Sequence, residues 1–220
     1  MGLVNTVNTL AGHDFSFQPS LDKARIMALA ELNFVARAEV VHLLRPPGTG
    51  KSHLASALGL EAVKAGKSVS FITLADLIGA LAKAEREGTL CERLRFYCQP
   101  SLLIVDEIGS LPVIPGGSNL FFQLVNARYE KGAMILTSNR GFAEWGDIFG
   151  SPVVVIALLD RLLHHAIVIK IEGSSYRLRH HADLLPEHIR SNPLITPPAP
   201  VEPRRRGRPP KNGVAAQPPD

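Results

Sequence analysis

Cysteine is scarce: Cys91 and Cys98, separated by six residues, are the only two among 220. No Cys/His cluster adjoins them, so they read as ordinary reduced thiols rather than metal ligands. No apolar run approaches the roughly 20 residues needed to span a bilayer. The N-terminal stretch "MGLVNTVNTLAGHDFS" has no basic segment ahead of an apolar one, and does not read as a secretion signal. A cytoplasmic protein that does not engage a membrane is expected. Aromatic residues make up only 6%, and Trp145 and the pair Phe121 and Phe122 read as packing residues rather than platforms for stacked bases.

What is present is enough apolar material, 45% of residues, to bury one sizeable core. The net charge of +4 is uneven: from Glu202 onward five basic residues face two acidic ones, leaving +1 for residues 1–201. Ten of the seventeen prolines lie between Pro186 and Pro219, a density that prevents helices and central strands. A disordered basic tail is therefore expected over 186–220.

Upstream, two periods alternate. "VVHLL" (40–44), "SVSFIT" (68–73), "LLIVD" (102–106), "AMILTS" (133–138) and "AIVIKI" (166–171) are strand-length apolar runs and read as buried parallel strands. Helix-period stretches cover Lys51 to Lys64, Leu74 to Glu87, Asn119 to Tyr129 and Val153 to Leu163. The alternation implies an α/β protein, a parallel five-stranded sheet flanked by helices.

In "LLRPPGTGKSHLA" (43–55) a strand runs into a helix through Gly-Lys-Ser, the end of a phosphate-binding P-loop, with Arg45 where its first glycine belongs. Residues Pro47, Gly48, Thr49, Gly50, Lys51, Ser52 and His53 would contact ATP. Backbone N–H groups at the helix start can wrap phosphate oxygens, Lys51 would neutralise the β- and γ-phosphates, and the Ser52 hydroxyl would sit on Mg2+. The strand "LLIVDEIG" delivers Asp106 and Glu107 to the edge where open α/β sheets bind ligands. Asp106 would hold Mg2+ through water, and Glu107 would orient and polarise the attacking water. "ILTSNR" brings Asn139 to the same edge, to sense the γ-phosphate or position water.

Loop, acidic strand and Asn-tipped strand together resemble AAA+ ATPases. "FSFQPSLDKARI", "NLFFQLVNARYEKGAMILTSNRGFAEWGDIFG" and "LLDRLLHHAIVIKIEGSSYRLR" further resemble the IstB-type helper ATPases of insertion-sequence transposition, relatives of DnaC-type helicase loaders. The similarity runs from about Asp14 to Leu185. It implies ATP binding, assembly of a homo-oligomer around double-stranded DNA, and delivery of that DNA to a partner transposase. It also implies a trans arginine completing each ATP site, here Arg161 in "LLDRLL", set against the alternative of a surface arginine beside Asp160. Arg177 and Arg179 are weaker candidates for phosphate or DNA contact. The family's helical adaptor domain is expected to be missing, because fewer than forty residues precede the first strand. The organisation expected is a short segment at 1–38, an ATPase core at 39–185 and the tail.

In that tail, "PRRRGRPPK" places Arg206, Gly207, Arg208 and Pro209 in the pattern of an AT-hook. Arginines are drawn into a narrow A·T minor groove, and glycine avoids its floor; a tail that binds any polyanion is the other reading. His164 with His165, and His180 with His181, are adjacent pairs whose side chains would diverge by about 100° on a helix, so no metal site is expected there. The segment "AKAEREGTLCERLRFY" reads as a solvated helical pair. Three functions remain open at this level: a transposition helper, a DnaC-like helicase loader, and a DNA-binding scaffold whose nucleotide site no longer turns over.

Overall fold

The computed structural model describes residues 22–44 and 48–171, together with Leu10. The five apolar runs become β1 (Val40–Leu44), β2 (Val69–Thr73), β3 (Leu102–Ile108), β4 (Ala133–Ser138) and β5 (Ala166–Lys170). They form one sheet in the order β2-β3-β4-β1-β5, with every neighbouring pair parallel. Parallel neighbours need long crossovers, and the helices supply them. Ahead of β1 lie α1 (Lys23–Ala30) and α2 (Asn33–Ala36); between the strands follow α3 (Lys51–Lys64), α4 (Leu74–Arg86), α5 (Leu90–Cys98), α6 (Gly117–Arg128), α7 (Trp145–Phe149) and α8 (Pro152–His164).

The alternation of strand side chains divides the core into two halves. Val41 and Leu43 of β1, Leu102 and Ile104 of β3, and Ala133 and Ile135 of β4 pack with Leu54, Ala57 and Leu58 of α3 and with Ile26 and Phe34 of the first two helices. Residues one position along, Leu103, Val105, Met134 and Leu136, pack against α4 to α8. Both faces are covered, which explains why the strands read as continuous apolar runs. The helices of residues 23–36 are thus built into the same core as β1.

Trp145 is fully buried and lies 5.5 Å from both Phe142 and Phe149, while Phe121 stacks on Phe149 at 5.7 Å. These aromatics hold α6 and α7 together. His42 is buried beside them, edge-on to Phe142, with Nε2 3.1 Å from the Leu162 carbonyl oxygen and no partner for Nδ1. Burial, which disfavours the charged imidazolium, outweighs that hydrogen bond and pushes its pKa down to about 4.

Arg128, at the end of α6, is also buried. Its guanidinium donates to the carbonyls of Tyr97 (2.8 Å), Pro100 (3.1 Å) and Ala133 (2.8 Å), tying the end of α5 to the start of β4. Gly132 leaves the room it needs: a Cβ there would stand 2.6 Å from an Arg128 Nη. Among the described residues no helix is long and apolar enough to cross a membrane, and Cys91 and Cys98 are free thiols.

Candidate functional site

β1 ends at Leu44 and α3 begins at Lys51. Of the loop between them, Arg45 and Pro47 lie outside the described residues, as do the candidates Arg177, Arg179, Arg206, Gly207, Arg208 and Pro209. Gly48 and Gly50 have φ of 82° and 91°, left-handed values that glycine adopts without steric cost. They turn the chain into α3. That helix has no side-chain cap and no acidic residue in its first turn, a helix start whose dipole suits an anion. Thr49 and Lys51 are buried there; Ser52 and His53 are half-buried.

The side chains converge one strand away. Asp106, 5% exposed, continues the alternation of Leu102 and Ile104 and so faces α3, where the Ser52 hydroxyl donates to Asp106 Oδ1 at 3.0 Å. Thr137 of β4, on the same face, donates its hydroxyl to the same oxygen and accepts the Glu107 N–H at 3.1 Å. The Ser52–Asp106 pair fits a Mg2+ that would be held by the Ser52 hydroxyl directly and by Asp106 through a water. Thr137 has no counterpart among the residues expected from sequence. The only signal for it was its parity with Ile135 in β4.

At Asp106 the β3–β4 register shifts, a bulge between Val105 and Ile108, and Glu107 takes a φ of 63°. For a residue with a β-carbon that conformation costs roughly 1–2 kcal/mol. Its consequence is that Asp106 and Glu107 do not simply point to opposite faces: Asp106 stays inside against Ser52, and Glu107 is exposed at the sheet's edge. There it forms one wall of a mostly apolar cleft of about 220 Å³ with Thr73, Ile78 and Leu111. Asn139 follows β4 at the same edge; its backbone N–H donates to the Ile108 carbonyl and its side-chain amide to Ser110 Oγ at 2.9 Å.

Arg161 is not part of this cluster. It projects from α8 over the Tyr129 ring, 4.6 Å from Cζ to the ring centroid. With Val40 and Met134, the first paired residues of β1 and β4, it lines a small cleft at the opposite edge of the sheet.

An edge carrying a phosphate-type loop, a Ser–Asp pair and an outward glutamate calls for comparison with known nucleotide-binding chains. The model of the IstB-like ATP binding protein family matches residues 1–183. The chain belongs to the IstB-like ATP-binding family. Among relatives, an ATP-binding protein of insertion sequence IS21 from Pseudomonas aeruginosa is 51% identical over 173 residues, covering 79% of this chain and 65% of that one. Another, of insertion sequence IS5376 from Geobacillus stearothermophilus, is 46% identical over 171 residues, covering 78% and 68%. This IstB-like chain therefore spans about two thirds of the length of the relatives it matches. Among solved structures, AMPPCP-bound DnaA from Aquifex aeolicus superposes with a TM-score of 0.64 at 22% identity, over 86% of this chain and 59% of that one, a likeness of AAA+ fold.

Proposed function

We propose that this IstB-like chain is an ATP-hydrolysing, DNA-binding helper of insertion-sequence transposition, which assembles on double-stranded target DNA and delivers it to a transposase in the cytoplasm. The observation that carries the reading is the Ser52–Asp106 pair, 3.0 Å apart, at the start of α3. Membership of an ATP-binding family, and relatives named for insertion sequences, support it.

The roles divide among the residues of this edge. Lys51 and the backbone N–H groups of residues 48–53 hold the phosphates, and the Ser52 oxygen, with Asp106 acting through water, would hold Mg2+. The ion would neutralise charge on the phosphates during transfer. Glu107, turned outward by its left-handed backbone, is free to orient water and take its proton, and Asn139 stands at the same edge with its amide on Ser110. Arg161 lies across the sheet from its own loop, so the part that the family resemblance implies for it would be toward the nucleotide of a neighbouring copy. Such a finger is worth roughly 10³ to 10⁵ in rate.

The test is turnover with purified protein, DNA and ATP. Glu107→Gln is expected to bind ATP and retain DNA without hydrolysis, and Lys51→Ala to lose nucleotide. Arg161→Ala is expected to resemble Glu107→Gln and to regain activity when mixed with Lys51→Ala. Equal turnover in wild type and Glu107→Gln contradicts the mechanism. Transposase strand transfer that does not respond to this protein contradicts the helper role.

A further inference from the structure

The two histidines that end α8 do not diverge as successive helical residues would. His164 is the last residue of the helix, and His165 leaves it with φ −126° and ψ 70°, which brings the two rings to 4.1 Å between centroids. The expectation that this pair could not share a metal rested on both being helical, and that condition is not met. Across from them Glu130, in the turn between α6 and β4, places Oε1 3.7 Å from His164 Nδ1 and 3.6 Å from His165 Nε2.

We propose that Glu130, His164 and His165 form a binding site for a divalent transition metal of the zinc class. Among the described residues they are the one group of His, Cys, Asp or Glu whose ligand atoms gather this closely, all within 4.8 Å. Tetrahedral zinc with bonds of about 2.05 Å separates its ligands by about 3.3 Å. The two carboxylate–imidazole distances are already near that value, and the exposed side chains need only small rotations to close the third.

Two imidazoles and one carboxylate select borderline ions such as Zn2+ or Co2+ over Mg2+, which prefers oxygen. The site is thus chemically separate from the Ser52–Asp106 pair, and it lies at the other edge of the sheet. Three protein ligands leave the fourth position to water. The Tyr129 hydroxyl, now 2.6 Å from His164 Nδ1, would release that nitrogen to the metal and sit within reach of the bound water. Arg161, stacked on the same tyrosine, works against a dication, and the Glu130 carboxylate offsets it.

The experiment uses the full chain without an affinity tag, stripped by chelator and titrated calorimetrically with Zn2+. Co2+ in its place serves as a visible-absorption probe of tetrahedral geometry. One Zn2+ is expected per chain. Its affinity should fall at least about 100-fold in His164→Ala, His165→Ala and Glu130→Gln, since loss of even an outer partner of a ligand costs 10–100-fold. Glu130→His, which restores a third ligand, should recover binding. All three positions are exposed, and equal metal-free melting temperatures will show that the variants fold. Absence of Zn2+ uptake by wild type, or uptake unchanged in the histidine variants, overturns the proposal.

Discussion

Thr137→Val tests whether the acidic edge of the sheet is held as its hydrogen bonds indicate. The substitution preserves volume, so no cavity is opened, and only the hydroxyl is lost. That hydroxyl donates to the Asp106 carboxylate, and a hydrogen bond to a charged group contributes roughly 1.5–3 kcal/mol. It also accepts the Glu107 N–H, which water can partly reach at this exposed residue, so the low end of the roughly 1–3 kcal/mol penalty for an unpaired donor applies. Together these give about 2.5–4 kcal/mol, a large fraction of the roughly 5–15 kcal/mol that holds a domain folded. Thr137→Ser keeps both bonds and removes one buried methyl, for about 1 kcal/mol. Urea unfolding of the three proteins is the assay. A valine variant no less stable than the serine variant would refute the reasoning, because packing alone would then explain the site.

Other consequences can be checked in the same format. His42, with its pKa lowered to about 4 by burial, takes up a proton in the unfolded chain near pH 6.5 but not in the folded one. Its contribution is fully present above about pH 6.5 and is lost as pH falls toward 4. Wild type should therefore lose about 2 kcal/mol more than His42→Leu between pH 7 and pH 5, and equal losses would contradict it. Gly132→Ala should push Arg128 Nη2 off the Pro100 and Ala133 carbonyls and destabilise by about 2–4 kcal/mol; an unchanged urea midpoint would count against that packing. Ending the chain at Glu202 should weaken binding to A·T-rich duplexes more than to G·C-rich ones if residues 206–209 act as a hook, whereas equal weakening would mean a purely electrostatic tail.

Strand and helix periods carried most of the architecture: β1, β4 and α3 begin and end where the apolar patterns do. The differences have local causes. β3 reads as ending at Asp106, yet it runs on to Ile108 through a bulge whose backbone is held by Thr137, a contact from another strand. The helix at α6 begins at Gly117, two residues before Asn119, where the buried Gly117 lies close against Ile78 and Val113, a tertiary contact without apolar periodicity. The burial of Arg128 left no periodic signal, since its two terminal nitrogens bond three carbonyls rather than an acidic partner with a readable spacing. At the site, Ser52 and Asp106 were legible as motif members. That they touch follows from strand parity, which sets Asp106 on the α3 face. The left-handed turn at Glu107 and the place of His165 outside its helix arise from tertiary geometry that no spacing rule contains.

The central claim is that the edge formed by the loop, Ser52 and Asp106 is a working ATP site despite Arg45. An equilibrium titration of labelled ATP against wild type and Arg45→Gly tests it most directly. Saturable binding by wild type, tighter in the glycine variant because the loop loses bulk and any left-handed strain of roughly 1–2 kcal/mol, is the predicted result. No binding by wild type, with binding restored in Arg45→Gly, would contradict the account and make the site a remnant.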